Sequence, residues 1–186
     1  MSKGNETSPI YREVQRFRQV WIWAIVFALA GLVWYASLRQ LLLHRPFGDR
    51  PTPDSLLVIF WFIFGIGLPT LFFFGQLVTE VRDDGIYICF FPFHWTFRRI
   101  AFTEVKQYEV RTCRPIREYG GWGIRYSCKG KAYNVSGNRG VQIELSNGKR
   151  LLIGSQRAEE LWQAIRAKHG DQESKSAQQS TDRRRA

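Results

Sequence analysis

The chain has 186 residues and a formal net charge of +11, from 27 Lys and Arg against 16 Asp and Glu. That length allows one domain or two, and the charge excludes strongly cationic partners in favour of nucleic acid, acidic proteins or an anionic membrane leaflet. Cys89, Cys113 and Cys128 form no C-x-x-C pair, which argues against a zinc or dithiol redox motif and for three reduced, apolar-packing thiols.

Residues 1–18 are polar and carry Lys3, Arg12, Arg16 and Arg18. They read as a cytoplasmic N-terminal segment. Residues 19–77 read as a two-helix transmembrane hairpin. Its first span, 20–38, has no charge and is roughly 28 Å long as a helix. Trp21, Trp23, Trp34 and Tyr35 lie toward its ends, where amphipathic rings favour the headgroup zone. This run is longer than the apolar region of a signal peptide, and no A-x-A cleavage site follows it. The second span, 56–77, is also free of charge, with Pro69 predicting a kink past its middle. Ala24, Ala28 and Gly31 share one helical face, expected to pack on the second span or on a second copy of the first. The loop 39–55 holds three basic residues, against four before the first span and twenty after the second. By the positive-inside bias, both termini are expected in the cytoplasm, with the protein multi-pass in a cell inner or plasma membrane.

From residue 78 the pattern changes to short alternating runs. Segments 79–82 and 86–91 flank Asp83-Asp84-Gly85, a hairpin turn signal. Segments 97–99 and 105–112 read as further strands. So do 123–128 and 131–135 around Lys129-Gly130. In 140–145, Val141, Ile143 and Leu145 alternate with Gln142 and Glu144, and Ser146-Asn147-Gly148 turns the chain into 149–153. After Gly154 the period becomes helical: Ser155 is the expected N-cap, and Ala158, Leu161, Trp162 and Ile165 form an apolar stripe. Gly170 marks the expected C-terminal end. Residues 171–186 read as a disordered basic tail. The expected fold class is therefore an α+β membrane protein. Its transmembrane helical hairpin precedes an antiparallel β-sheet or partial barrel over 78–170, capped by a C-terminal helix that Trp162 helps to dock.

Three stretches carry a resemblance: Arg114-Pro115-Ile116-Arg117-Glu118-Tyr119-Gly120-Gly121-Trp122-Gly123-Ile124-Arg125, Ser136-Gly137-Asn138-Arg139-Gly140-Val141, and Gly154-Ser155-Gln156-Arg157. Together with Gly148-Lys149-Arg150-Leu151-Leu152-Ile153, they resemble the bacterial pleckstrin-homology-like domains, in particular small membrane proteins with two helices before such a domain. The resemblance covers about residues 77–168. It implies the fold, with Trp162 matching the Trp often found in the closing helix, and leaves the biochemical role largely uncharacterised. Phosphoinositide-binding members of the wider superfamily use a basic loop between the first two strands. Here that turn is Asp83-Asp84-Gly85, short and acidic, so that ligand does not transfer.

No cofactor, metal site or catalytic residue is expected. The Gly-rich turns 120–123 and 137–140 match neither G-x-G-x-x-G before a helix nor a P-loop. His44, His94 and His169 lack metal-ligand spacing, and Glu118, Asp83 and Asp84 read as turn and surface groups. Asn134-Val135-Ser136 is read as a chance glycosylation sequon. The candidate contact surface is Arg111, Arg114, Arg117, Tyr119, Trp122 and Arg125. It would suit anionic lipid headgroups or an acidic membrane or cytoplasmic protein beside the bilayer. The expected function is a membrane-tethered, non-catalytic interaction module. The alternatives are a membrane-bound enzyme built on the Gly-rich turns and a nucleic-acid-binding membrane protein, the latter disfavoured because no RNA-binding motif occurs.

Overall fold

The computed structural model describes residues 8–44, 53–114, 117–118, 120–127 and 130–183, with the side chains of 172–183 excepted. The chain forms two units: residues 16–75, and a β-rich unit assembled from 1–15 and 76–186. Cys128, Tyr119 and the loop prolines Pro46 and Pro51 lie outside the described residues.

The first unit is a pair of apolar helices. Helix α1 spans Val20–Leu42 and α2 spans Asp54–Phe74; both are long and apolar enough to cross a membrane. At about 1.5 Å per residue they reach roughly 35 and 32 Å, comparable to a hydrocarbon core. Only 28% and 6% of their most apolar windows are buried inside the fold, so most of their apolar surface faces outward. Ile22, Val26 and Ala30 form the buried stripe of α1, which packs on the Trp61–Gly67 stretch of α2. The small-residue face expected there is turned away: Ala24, Ala28 and Gly31 are exposed. Ile22 and Val26 bring more apolar surface to the groove between the helices than Ala24 and Ala28 would.

Pro69 acts through a missing donor. It has no N–H for the carbonyl of Gly65, four residues earlier. The helix passes through a π-helical stretch, Trp61–Gly67, just before it. The Gly65 carbonyl instead accepts a hydrogen bond from the Trp34 indole at 3.3 Å. A side chain at residue 65 would crowd both Trp34 and Trp61, and those two rings meet edge to face at 4.9 Å. In an apolar medium an unsatisfied carbonyl costs several kcal/mol, so this indole stabilises the break in the helix.

Among the described residues, the second unit holds nine strands in two sheets. The first has the order β1-β2-β3-β4, from Tyr11–Arg16, Gln76–Arg82, Gly85–Phe91 and Arg98–Ala101. The second has the order β5-β8-β9-β7-β6, from Val105–Thr112, Arg139–Leu145, Arg150–Gly154, Gly130–Asn134 and Gly123–Ser127. The β2–β3 hairpin turns through Asp83 and Asp84, with Arg82 opposite Gly85 and Gln76 opposite Phe91. In the second sheet, neighbouring strands run antiparallel except β7 and β9, which run parallel. Gly130 permits their approach: its φ is +114°, and a Cβ there would fall on the Arg150 carbonyl.

The core is apolar and continuous with a helix. Leu77, Val81, Ile86, Ile88 and Phe90 are buried in the first sheet, and Tyr133, Val141, Ile143, Leu152 and Ile153 in the second. Helix α3, Ala158–Arg183, lays Ala158, Leu161 and Ile165 against β2, β5 and β8. Trp162 is only half-buried, beside Tyr108 and under the Arg166 guanidinium. The deep anchors of the helix are thus Leu161 and Ile165, one turn apart on the face below the Trp. The helix starts at Ala158 and continues through Gly170. One helical Gly costs only about 1 kcal/mol, and the following Gln, Glu, Lys and Ala are adequate helix formers.

Strand β1 precedes the helical pair in sequence and joins the sheet that follows it. Its inward residues are Tyr11, Glu13 and Gln15. The buried Glu13 carboxylate accepts hydrogen bonds from the Tyr11 hydroxyl (2.6 Å), the Ser155 hydroxyl (2.6 Å) and the Gln156 N–H (2.9 Å). Gln15 donates to the Gly154 carbonyl at 2.7 Å. Burial, and then the bond to Glu13, push the Tyr11 phenol above its ordinary value. Ser155 therefore serves the β1 junction. Its hydroxyl oxygen accepts from the Arg157 N–H, ahead of the helix, rather than capping it.

Candidate anion-binding surfaces

The arginine-rich segment is partly tied into the fold. Arg111, at the end of β5, donates to Glu118 at 2.9 Å and to the Gln142 side chain on β8 at 2.6 Å. Glu118 also accepts from the Arg114 backbone N–H at 3.1 Å. Glu118 thus closes a short loop rather than standing in solvent, and its side chain is only 16% exposed. Beside it, burial pushes the Cys113 thiol above its ordinary value. The Arg114 and Arg117 side chains are exposed. Arg125 is exposed and its Nε donates to the carbonyl of the half-buried Trp122 at 3.1 Å. Of the six candidates, the structure brings Arg111 and Arg114 together around Glu118, and Trp122 with Arg125.

A second basic surface comes from residues far apart in sequence. A groove of about 740 Å³ is lined by β4, the β6–β7 hairpin and the β8–β9 turn. Its cations are Arg98, Arg99, Lys131, Lys149 and Arg150, with Glu104 as the acidic group of the lining. Arg99 pairs with Asp84 at 3.1 Å and Arg150 with Glu144 at 3.5 Å. Arg98, Lys131 and Lys149 make no ion pair among the described residues. Lys131 lies instead over the Tyr126 and Tyr133 rings, at 4.9 and 4.6 Å. A hydrogen bond with Lys131 holds the Tyr126 phenol below its ordinary range, and Arg98 adds to the effect. The acidic β2–β3 turn is occupied by its own partners, Lys168 on Asp83 at 2.8 Å and Arg99 on Asp84.

The two Gly-rich turns at 120–123 and 137–140 do not line this groove. Among the described residues, no three His, Cys, Asp or Glu side chains gather as a metal site would require. Cys89 and Cys113 are free thiols. Asn134 of the sequon is buried, at 3% exposure, and closed to a glycan. Sequence reasoning missed the groove because Arg98, Lys131 and Lys149 lie on three separate segments. The one local signal is Tyr126 with Lys131 across the β6–β7 hairpin, where they are directly opposed.

The fold defines a class: an α+β protein in which two apolar, membrane-length helices are inserted between adjacent strands of a β-rich unit with a closing helix. The chain belongs to a family of unknown function, DUF6141, whose profile matches residues 2–170. No curated protein and no solved structure matches it.

Proposed function

We propose that the protein is a membrane-tethered, non-catalytic interaction module of the pleckstrin-homology-like type, which presents a basic surface to an anionic lipid headgroup or an acidic protein segment. The observation that carries this reading is the groove, lined by the exposed Arg98 and Lys149 and the half-buried Lys131, none with an ion-pair partner among the described residues. Cations left open in a concave surface attract phosphate and carboxylate groups. The two sheets and closing helix support the pleckstrin-homology-like assignment. The pairing of β1 with β2 in one sheet supports two spans that return the chain to the side it left. The charge bias of the flanks then favours the cytoplasm for both termini. Nucleic acid ranks lower, since the helices supply a membrane explanation for the basic charge.

The test is hydrogen exchange on the full chain in nanodiscs. Protection at residues 98–100, 130–131 and 147–150 should rise when neutral lipid is replaced by anionic lipid. It should fall at high salt, where the Debye length shrinks from about 10 Å at 0.1 M to about 3 Å at 1 M. Protection that appears only when an acidic peptide is added assigns the surface to a protein partner. Identical exchange under every condition overturns the reading.

A further inference from the structure

The turn at residues 92–97, between β3 and β4, exposes large apolar rings. Trp95 is 82% exposed and Phe93 62%, although such rings normally seek cover. The turn is nevertheless built to a fixed shape. His94 points inward: its N–H donates to the Phe90 carbonyl at 2.8 Å, its own carbonyl accepts from the Cys89 thiol at 3.2 Å, and its ring lies 5.9 Å from Tyr133. Trp95 stands edge to face with Phe91 at 5.6 Å, and Phe93 lies 5.7 Å from Phe90. Burial, with Lys131 and Arg98 nearby, pushes the His94 imidazole below its ordinary value. Those two cations therefore flank the turn, and the exposed Tyr126 adjoins Lys131.

Strand register fixes where this turn lies along the chain's path. Phe91, the last residue before it, is opposite Gln76. Helix α2 ends at Phe74, and two residues of chain reach at most about 7 Å. Whatever the orientation of the β-rich unit, its aromatic turn begins beside the strand residue that follows the helix. The Asp83-Asp84 turn lies at the other end of the same hairpin, roughly 20 Å away at about 3.3 Å per residue.

We propose that the 92–97 turn is an interfacial wedge: Phe93 and Trp95 enter the headgroup–acyl boundary of the bilayer that α1 and α2 cross, while Arg98 and Lys131 hold lipid phosphates beside it. Exposed Trp and Phe with adjoining cations have the chemistry of that boundary, apolar on one side and anionic on the other. The proposal rests on the reading of α1 and α2 as membrane spans. It is separate from the preference for anionic lipid, because ring insertion needs an interface and every phospholipid carries a phosphate.

The experiment places p-benzoylphenylalanine at position 95 of the full chain, with position 83 as the comparison, in nanodiscs of neutral or anionic lipid. Both sites are exposed, and the change at 95 replaces one aromatic with another. Photolysis should give lipid adducts at 95 several-fold above those at 83, in both kinds of disc. Equal yields at the two sites, or adducts at 95 to a second protein molecule instead of lipid, overturn the wedge. Lipid adducts at 95 combined with groove exchange that ignores anionic lipid would uphold the wedge and discard the anion-docking reading. The reverse combination would do the opposite.

Discussion

The arginine-rich segment 111–125 and the groove at β4, β7 and the β8–β9 turn are both basic, but they use their charges differently. In the first, Arg111 is held by Glu118 and Gln142, and Arg125 folds back on the Trp122 carbonyl. In the second, Arg98, Lys131 and Lys149 line a concavity with no ion pair among the described residues. Arg114 and Arg117 nevertheless stay exposed in the first region, so the regions differ less in exposed charge than in shape, the groove gathering its cations into a concavity. Arg111 is neutralised by a carboxylate of its own loop, whereas strand register brings Arg98, Lys131 and Lys149 together from distant segments.

The largest effect should come from emptying the groove. Each cation near an anionic surface contributes about 1 kcal/mol, so Arg98→Gln, Lys131→Gln and Lys149→Gln together should weaken anionic-lipid binding by roughly 100-fold. Titration of the detergent-solubilised chain with short-chain phosphatidylglycerol measures this, and an unchanged affinity would erase the distinction between the two regions. Next comes Arg111→Ala, which leaves the half-buried Glu118 without its partner. It should cost about 1–2 kcal/mol of stability, on the scale of a charged hydrogen bond discounted for partial exposure. Denaturant unfolding followed by near-ultraviolet circular dichroism reads it out, and a neutral result would mean that Arg111 is as free as the groove cations. The smallest effect belongs to Arg114→Gln with Arg117→Gln. Both side chains are exposed, so unfolding should shift by less than about 0.5 kcal/mol. In the same titration, a loss matching that of the groove variants would return the binding surface to residues 111–125.

Period and turn chemistry made much of the β-rich unit legible. The Asp83-Asp84-Gly85 turn, the alternation of Val141, Ile143 and Leu145, and the switch to a helical stripe at Ala158 all correspond to elements of the structure. Strand β1 was hidden because its inward residues include Glu13 and Gln15, so the usual apolar alternation is replaced by polar groups satisfied through Gly154, Ser155 and Gln156. The helix-pairing face was misread for a related reason. Small residues permit close approach, but Ile22, Val26 and Ala30 offered more contact area to α2. Trp162 attracted attention by size, yet Leu161 and Ile165 occupy the fully buried positions. The aromatic turn at 92–97 was visible as letters. Only the pairing of Phe91 with Gln76 gave it a location.

The placement of β1 also sets the order in which the β-rich unit can be completed during synthesis. Glu13 leaves the ribosome early, but its acceptor role needs Ser155, 142 residues later. At about 5–20 residues per second, that interval is on the order of ten seconds. During it the first strand must wait while both apolar helices and the later strands are made. If α1 and α2 are membrane spans, as proposed, a chain in which one of them fails to cross would hold β1 across the bilayer from β2, leaving Ser155 and Gln156 without the Glu13 carboxylate. On that reading only a chain that has crossed an even number of times can complete its own sheet, and a defective insertion would leave an unfinished edge open to proteolysis.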